Sequence, residues 1–360
     1  MLDFTTRHPV NEVFTALVCS TEPDQSLIGR AIVRTYPVEG SAYKGQVVVK
    51  SHVGKMGNSA PTLRAPGAPI SATVNGSDPT FVDYQALCYA AKTDDITHEE
   101  QARNQLPYDI LEDEFDSVVR KLDIDDEVRI AAKLFGTSIW TAEPTLSSLS
   151  VSGGKWSTTA TARGESDLSI IRRTYETQAH GRPLDTCVIG AEPFEAFCRN
   201  YEARGAIVVT SGAAGVLKPL TENEGKAAIA ARLGISADRV FVGRARRNTA
   251  GPLATHSESD IWGDFLWVGN LLGGSARQMQ GNQLRMRGEA VGMINIDEIS
   301  MLLRTMEGVP GYTAEAGRSF VAGFHEYSPV EGGKVVGWAQ HYTDQVVLAA
   351  DLGLLVQDLV

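Results

Sequence analysis

Side chains able to do chemistry are plentiful in this chain of 360 residues, but their spacing builds no familiar reaction centre. The sequence SGGK at 152–155 has the end of a phosphate-binding loop. Such a loop needs a glycine five residues before Gly154 and a hydroxyl after Lys155, where Leu149 and Trp156 stand. A turn between strands accounts for the same residues. His98-Glu99 and His325-Glu326 each begin a zinc-peptidase signature, yet Ala102 and Pro329 hold the place of the second histidine. GTSIW at 136–140 lacks the closing glycine of a nucleophile elbow. No pair among the seven histidines has the spacing of metal ligands on one element. Cys19, Cys88, Cys187 and Cys198 include no CxxC pair. A zinc ribbon and a disulfide framework are therefore not expected, and reduced thiols in a cytoplasm are. Arg244, Arg246 and Arg247 have the chemistry of an anion site or of a contact with another chain. No catalytic residue, cofactor or metal is expected, although a triad gathered from distant residues leaves no local trace.

The carboxylates are the remaining candidates. The formal net charge is −11. Between Lys92 and Lys133 thirteen acids face six bases, so this one region holds −7 of it. Sequence-independent binding to nucleic acid through a basic face is disfavoured. A solvated acidic helix face and a functional acidic surface both fit the pattern.

The element that carries these acids spans 106–136 and is expected to be a long helix. Pro107 suits a first helical turn, Asp109, Glu112, Asp113 and Glu114 suit the positive end of the helix dipole, and Gly136 is a stop. Leu111, Phe115, Val118, Val119 and Leu122 form one apolar face. Ile124, Val128, Ala131, Ala132 and Phe135 form a second series in another phase. Either the helix bends at 123–126, with Asp123 capping a second segment, or it buries different faces against different neighbours. At full length it would reach about 45 Å, a strut rather than an ordinary enzyme helix.

Around the strut, residues 1–30 have periodicity only at Val13, Phe14, Leu17 and Val18, enough for a short amphipathic helix. GRAIVRTYPV, GQVVVKSHV and FVDYQALCYA alternate as strands. Between the last two lies a Gly/Pro/Ser/Thr/Asn-rich stretch that cannot build a core, so an extended hairpin is expected, and a loop this long tends to be functional. LSSLSVSGGKWSTTA suits strand and turn. Alternation of helical and strand patterns from 181 to 273 describes a compact α/β domain, with Thr221 and Glu224 spaced as a capping box. Glycine-punctuated strands follow from 283. No apolar run reaches the length of a membrane span, and residues 1–20 lack a signal-peptide pattern.

This order of parts resembles the major capsid proteins of tailed bacteriophages with the Hong Kong 97-type fold. The local likeness lies in RAPGAP at 64–69, LDIDDEVRIAAKLF, SVSGGKWS, DTCVIGAEPFEAF, AARLGISADRVFVGRARRNTAG with DIWGD, and the VVLAADLGLLVQD ending. The resemblance implies an α+β fold with an N-arm at 1–30 and an extended β-hairpin E-loop at 31–92. It implies a peripheral domain at 93–180, including the spine helix at 106–136, and an axial α/β domain at 181–309. Closing strands at 310–360 would return to the peripheral domain.

It also implies a structural protein, not an enzyme. Copies of the chain would form hexamers and pentamers of an icosahedral or prolate head around double-stranded DNA, held without specific binding. Assembly is expected in the host bacterial cytoplasm, with portal, scaffolding and decoration proteins as partners and no membrane. A cleaved scaffolding preface is not seen before Met1, which points to a separate scaffolding protein or none. Lys44, Lys50 and Lys55 fall in the E-loop, but no asparagine or glutamate matches an isopeptide cross-link. Intersubunit contacts are expected at Lys50, Lys55, Arg64, Pro66, Arg246 and Arg247, and an acidic interior face at Asp109, Glu112, Asp113 and Glu114. An encapsulin-like nanocompartment shell and an α/β hydrolase with an unrecognised site are the alternatives.

Overall fold

A computed structural model describes residues 26–38, 44–50, 79–97, 110–149, 154–158, 162–179, 182–200, 219–250, 255, 257–271, 275–278, 283–287, 290–296, 321–326 and 334–360. A single turn, α1 (Gly29–Ile32), precedes β1 (Thr35–Val38), so the first residues of GRAIVRTYPV are helical and only its end is strand. β2 (Lys44–Lys50) and β3 (Pro79–Gln85) pair antiparallel from Lys44 opposite Gln85 to Lys50 opposite Pro79. These are the legs of the expected hairpin. The chain continues through β4 (Leu87–Lys92) and β5 (Ile96–Thr97) into the long helix α2 (Ile110–Leu134).

Helix α2 is unbroken, and Asp123 lies within it rather than capping a second segment. Among its described side chains the buried ones are Val118, Val119, Leu122, Asp123, Asp126, Glu127, Ile130, Ala131 and Leu134. They follow one another at helical spacing as a single stripe. The apparent change of phase arises because three acids take the middle positions of that stripe, while Ile124 and Val128 are only half-buried and Ala132 is exposed. The two ends of the stripe meet different neighbours. Val118, Val119 and Leu122 pack with Ala91 and Ala339, whereas Ile130, Ala131, Leu134 and Phe135 join the main core.

The short α3 (Leu146–Leu149) replaces the strand expected for LSSL, and α4 (Gly164–Gln178) follows. Next come β6 (Thr186–Gly190), α5 (Ala191–Arg199) and α6 (Glu222–Leu233). In the capping box of α6, Thr221 Oγ1 accepts from the Glu224 amide at 3.4 Å and Glu224 Oε2 accepts from the Thr221 amide at 2.8 Å. Gly234, in the left-handed region at φ 75°, ends it. β7 (Val240–Gly243), β8 (Arg246–Asn248), β9 (Glu258–Asp260) and β10 (Leu266–Gly269) complete this part. β11 (Ser275–Gln278), β12 (Gln283–Arg287), β13 (Val291–Ile296), β14 (Val321–Glu326), β15 (Lys334–Val347) and β16 (Gly353–Val356) close the chain.

Three principal sheets result. β16–β10–β6–β7 is the sheet of the α/β domain, and every residue of β6, β10 and β16 is buried, as continuous apolar strands covered on both faces should be. Phe194, Phe197, Leu168, Ile171 and Ile229 from its helices fill the main core. β11–β12–β2–β3 forms the base of the hairpin, so residues far apart in the chain share it. The third sheet is built on the long β15, with β13 and β14 on one side and β4 and β5 on the other. β1 extends it through β13. Strand pairing thus crosses the expected division at 309/310, since β13 joins β15 and β16 joins the α/β sheet.

Candidate functional site

The acids in the middle of the α2 stripe meet four other parts of the chain. A charge taken out of water is tolerated only when paired and hydrogen-bonded. Glu127 satisfies this with three donors. Its Oε1 accepts from the Ile28 amide at 3.0 Å and from Trp262 Nε1 at 2.7 Å, and its Oε2 accepts from the Gly29 amide at 2.6 Å. A Cβ on Gly29 would press against this carboxylate, so the glycine permits the close approach. Burial pushes the Glu127 carboxyl up, and the amide and indole donors oppose that shift only in part.

Asp126 is fully buried, with both oxygens doubly engaged. Oδ2 accepts from Arg30 Nε at 3.0 Å and from Arg30 Nη2. Oδ1 accepts from Arg129 Nη2 and lies 3.1 Å from His341 Nε2. Burial alone would raise the Asp126 carboxyl. The His341 hydrogen bond and the charges of Arg30, His341 and Arg129 outweigh it and hold the group far below the usual carboxylate range. Asp123 Oδ1 lies 3.3 Å from Arg30 Nη1. The Arg129 guanidinium sits 3.4 Å above the Tyr89 ring, a cation–π contact that shields it further. The junction joins α1, α2, β4, β15 and the Trp262 segment. Asp126 and Glu127 each accept from three or more donors, which suits these two carboxylates to fixing elements together.

The structure also locates the residues expected from sequence. Lys55, Arg64, Pro66 and Asp109 lie outside the described residues. Lys50 ends β2, its backbone opposite Pro79, and Glu112 lies in the first turn of α2. Asp113 is exposed and Glu114 half-buried. Arg246 and Arg247 are adjacent and exposed on β8. Arg246 bonds Asp260 at 2.7 Å and Arg244 bonds Glu222 at 3.1 Å, so carboxylates of the chain itself occupy these two cations. Arg199, Arg244 and Arg246 border a cleft of about 600 Å³ that also holds Glu192, Glu195 and Asp260, a mixed lining rather than an anion pocket.

The rejected motifs have structural roles. Trp156 is buried against Phe197, and Lys155 Nζ donates to the Val360 carbonyl at 2.6 Å, which leaves no phosphate cradle. Glu143 accepts from the amides of Ser138, Ile139 and Trp140 at 2.6, 2.7 and 2.7 Å, which fixes the GTSIW turn. Among the described residues no cluster of His, Cys, Asp or Glu could hold a metal ion, and no helix is long and apolar enough to cross a membrane. A solvated acidic helix face therefore describes Asp113 and Asp116 but not Asp123, Asp126 and Glu127. Their signal is in the sequence: they stand one, four and five residues after Leu122, on the line the apolar stripe must follow to Ile130.

No protein-family model matches this chain, and no curated protein does. Solved structures do. A phage-related protein from Bordetella bronchiseptica RB50 is 14% identical and aligns over 98% of each chain with a TM-score of 0.61. The capsid structure of cyanophage P-SCSP1u aligns over 90% of this chain and 86% of its own at 10% identity, TM-score 0.48. The mature capsid of bacteriophage PhiM1 aligns over 94% and 88% at 9% identity, TM-score 0.49. Of these, the Bordetella protein is similar enough to establish a shared fold.

Proposed function

We propose that this chain, whose α+β fold agrees with the Hong Kong 97-type architecture expected from its sequence, is the major capsid protein of a tailed phage. Copies assemble into the hexamers and pentamers of an icosahedral or prolate head that encloses double-stranded DNA. The protein resides in the virion and assembles in the host bacterial cytoplasm. The observation that carries this reading is the serial order of hairpin, long helix, α/β domain and closing strands, in a fold shared over 98% of the chain with a phage-related protein. The donor-filled carboxylates of Asp126 and Glu127 support a structural role over catalysis. Portal and scaffolding proteins are the expected partners, with decoration proteins outside the shell.

In this reading the hairpin beyond Lys50 laps over a neighbouring subunit, with Lys55, Arg64 and Pro66 in the contact, while Arg246 and Arg247 meet another copy from the β8–β9 ribbon. Asp109, Glu112, Asp113 and Glu114 line the interior, where negative charge keeps packaged phosphates from binding by counterion release. The deciding experiment expresses the full chain alone and follows it by sedimentation and negative-stain microscopy. Closed shells or capsomer rings are expected, and a monodisperse monomer at high concentration would overturn the assignment.

A further inference from the structure

The four-stranded sheet at the hairpin root has two unlike sides. Register aligns Val47 and Tyr84 with Leu284 and Met286 on one of them. Val47 and Tyr84 are buried in a small core with Tyr36, Ile294, Val346 and Leu348, so this side packs on the rest of the subunit. Lys44, Gln46, Phe81, Asp83 and Gln85 alternate with those residues and are all exposed. Gln46 stands opposite Gln283 and Val48 opposite Arg285, so positions 285 and 287 of β12 belong to the same side as Gln46. Position 277 of β11 joins them through its pairing with 285.

The charge on this side is uneven. Its positions include five bases, Lys44, Lys50, Arg277, Arg285 and Arg287, against one acid, Asp83. Asp83 already accepts from Gln46 Nε2 at 2.9 Å. Five bases against one acid make +4 here, which leaves −15 on the rest of a chain whose total is −11. Arg277 and Arg285 are direct cross-strand partners, and like charges so placed destabilise a sheet unless negative charge comes to them. We infer that the hairpin root is a basic docking face for an acidic surface of a second copy of this chain. The inference rests on the shell reading above and adds a joint distinct from the overlap of the hairpin beyond Lys50.

Charge complementarity selects this occupant. The region between Lys92 and Lys133 holds −7, and its Asp94 and Asp116 are exposed on segments outside this sheet. The basic face and the acids are different surfaces. Each copy therefore gives one and receives the other, a heterologous contact that closes into a ring. Phe81, 54% exposed on the basic side, adds apolar area to the charged contact, as a protein interface requires. A nucleic acid would have to approach through the field of the remaining negative charge, which opposes it.

The test is assembly of the full chain, followed by sedimentation at rising protein concentration in about 0.15 M and about 1 M salt. Arg285→Glu reverses one charge of the face and sets a carboxylate opposite Arg277, a favourable cross-strand pair. The variant subunit should melt no lower than the parent, yet need at least about tenfold more protein to assemble at the lower salt. At the higher salt, where charges are screened beyond about 3 Å, the gap should narrow to less than about threefold. Lys44→Glu, on the same side but in β2, should shift assembly the same way and decides the matter should Arg285→Glu fail to fold. Arg239→Glu, exposed and outside the sheet, changes net charge equally and should assemble within about twofold of the parent. Parent-like assembly of both face variants, or an equal shift in Arg239→Glu, would overturn the inference and leave the shell reading in place. A parent chain that never associates would overturn both. Binding of a DNA duplex that is lost in Arg285→Glu while assembly is unchanged would give the face to nucleic acid and also overturn it.

Discussion

Asp126 shows how much one side chain can be asked to hold. It accepts hydrogen bonds from Arg30, Arg129 and His341, which come from three different elements. Removing one partner of a buried pair leaves the others uncompensated, so Asp126→Ala should destabilise the protein by about 3–5 kcal/mol in urea unfolding. Asp126→Leu in place of alanine would fill the space but still strand both arginines, and should recover less than about half of that loss. The pH behaviour has a definite sign. The folded carboxyl lies below its unfolded value, so its contribution is present above the ordinary carboxylate range and disappears as pH falls through the folded value. Acid unfolding of Asp126→Asn should accordingly start from lower stability and show a shallower slope below about pH 4. The spacing of Asp126 from Leu122 and Ile130 puts it on the buried stripe, but periodicity arguments count apolar side chains and treat an acid as solvent-facing. The donors that reverse that expectation come from Arg30 and His341, residues about a hundred and two hundred positions away.

At the scale of elements, legibility followed how local the determining forces are. The capping box of α6 and the apolar run Cys187–Ile189 of β6 are specified within a few residues, and both form as expected. The turn at α1 is different. GRAI has strand-like composition, but the Glu127 carboxylate accepts its leading amides and holds it as a helical turn. The same carboxylate fixes Trp262 through its indole N–H, and the ring packs over Gly243 at the end of β7. A methyl group at 243 would overlap the ring at Cβ, Cγ and Cδ1, its least movable atoms. Gly243→Ala should therefore cost about 1–3 kcal/mol. Gly263→Ala is the control: its Cβ would stand 3.3 Å from the Phe265 ring, which is only partly buried and has room to yield. A thermal-melting comparison in which 263 proved the more damaging site would show that Trp262 is not fixed by Glu127.

Over the whole molecule, the base of the hairpin is tied to both halves of the chain. β2 pairs with β3 on one side and, in parallel, with β12 on the other, from Gln46 opposite Gln283 to Val49 opposite Met286. Long-range strand partners of this kind are not readable from the strands themselves, whereas the existence of a hairpin is. Lys50 stands directly opposite Pro79, so the two legs are already within the reach of a short connection. Replacing residues 51–70 by a Gly/Ser turn therefore shortens the connection without opening the sheet. Closure entropy depends only weakly on loop length, so the folded subunit should lose little stability. Phe81, 54% exposed beside this end of the sheet, is an apolar surface awaiting cover. If the removed segment laps over a neighbour, each copy donates one hairpin and receives another, a heterologous contact that closes into a ring. The shortened chain should then melt within a few degrees of the full chain, yet sediment as unassembled subunits and show no shells by microscopy. Closed shells from the shortened chain would mean that the contacts joining subunits lie elsewhere, with the β8–β9 ribbon and its Arg246 and Arg247 the next place to cut.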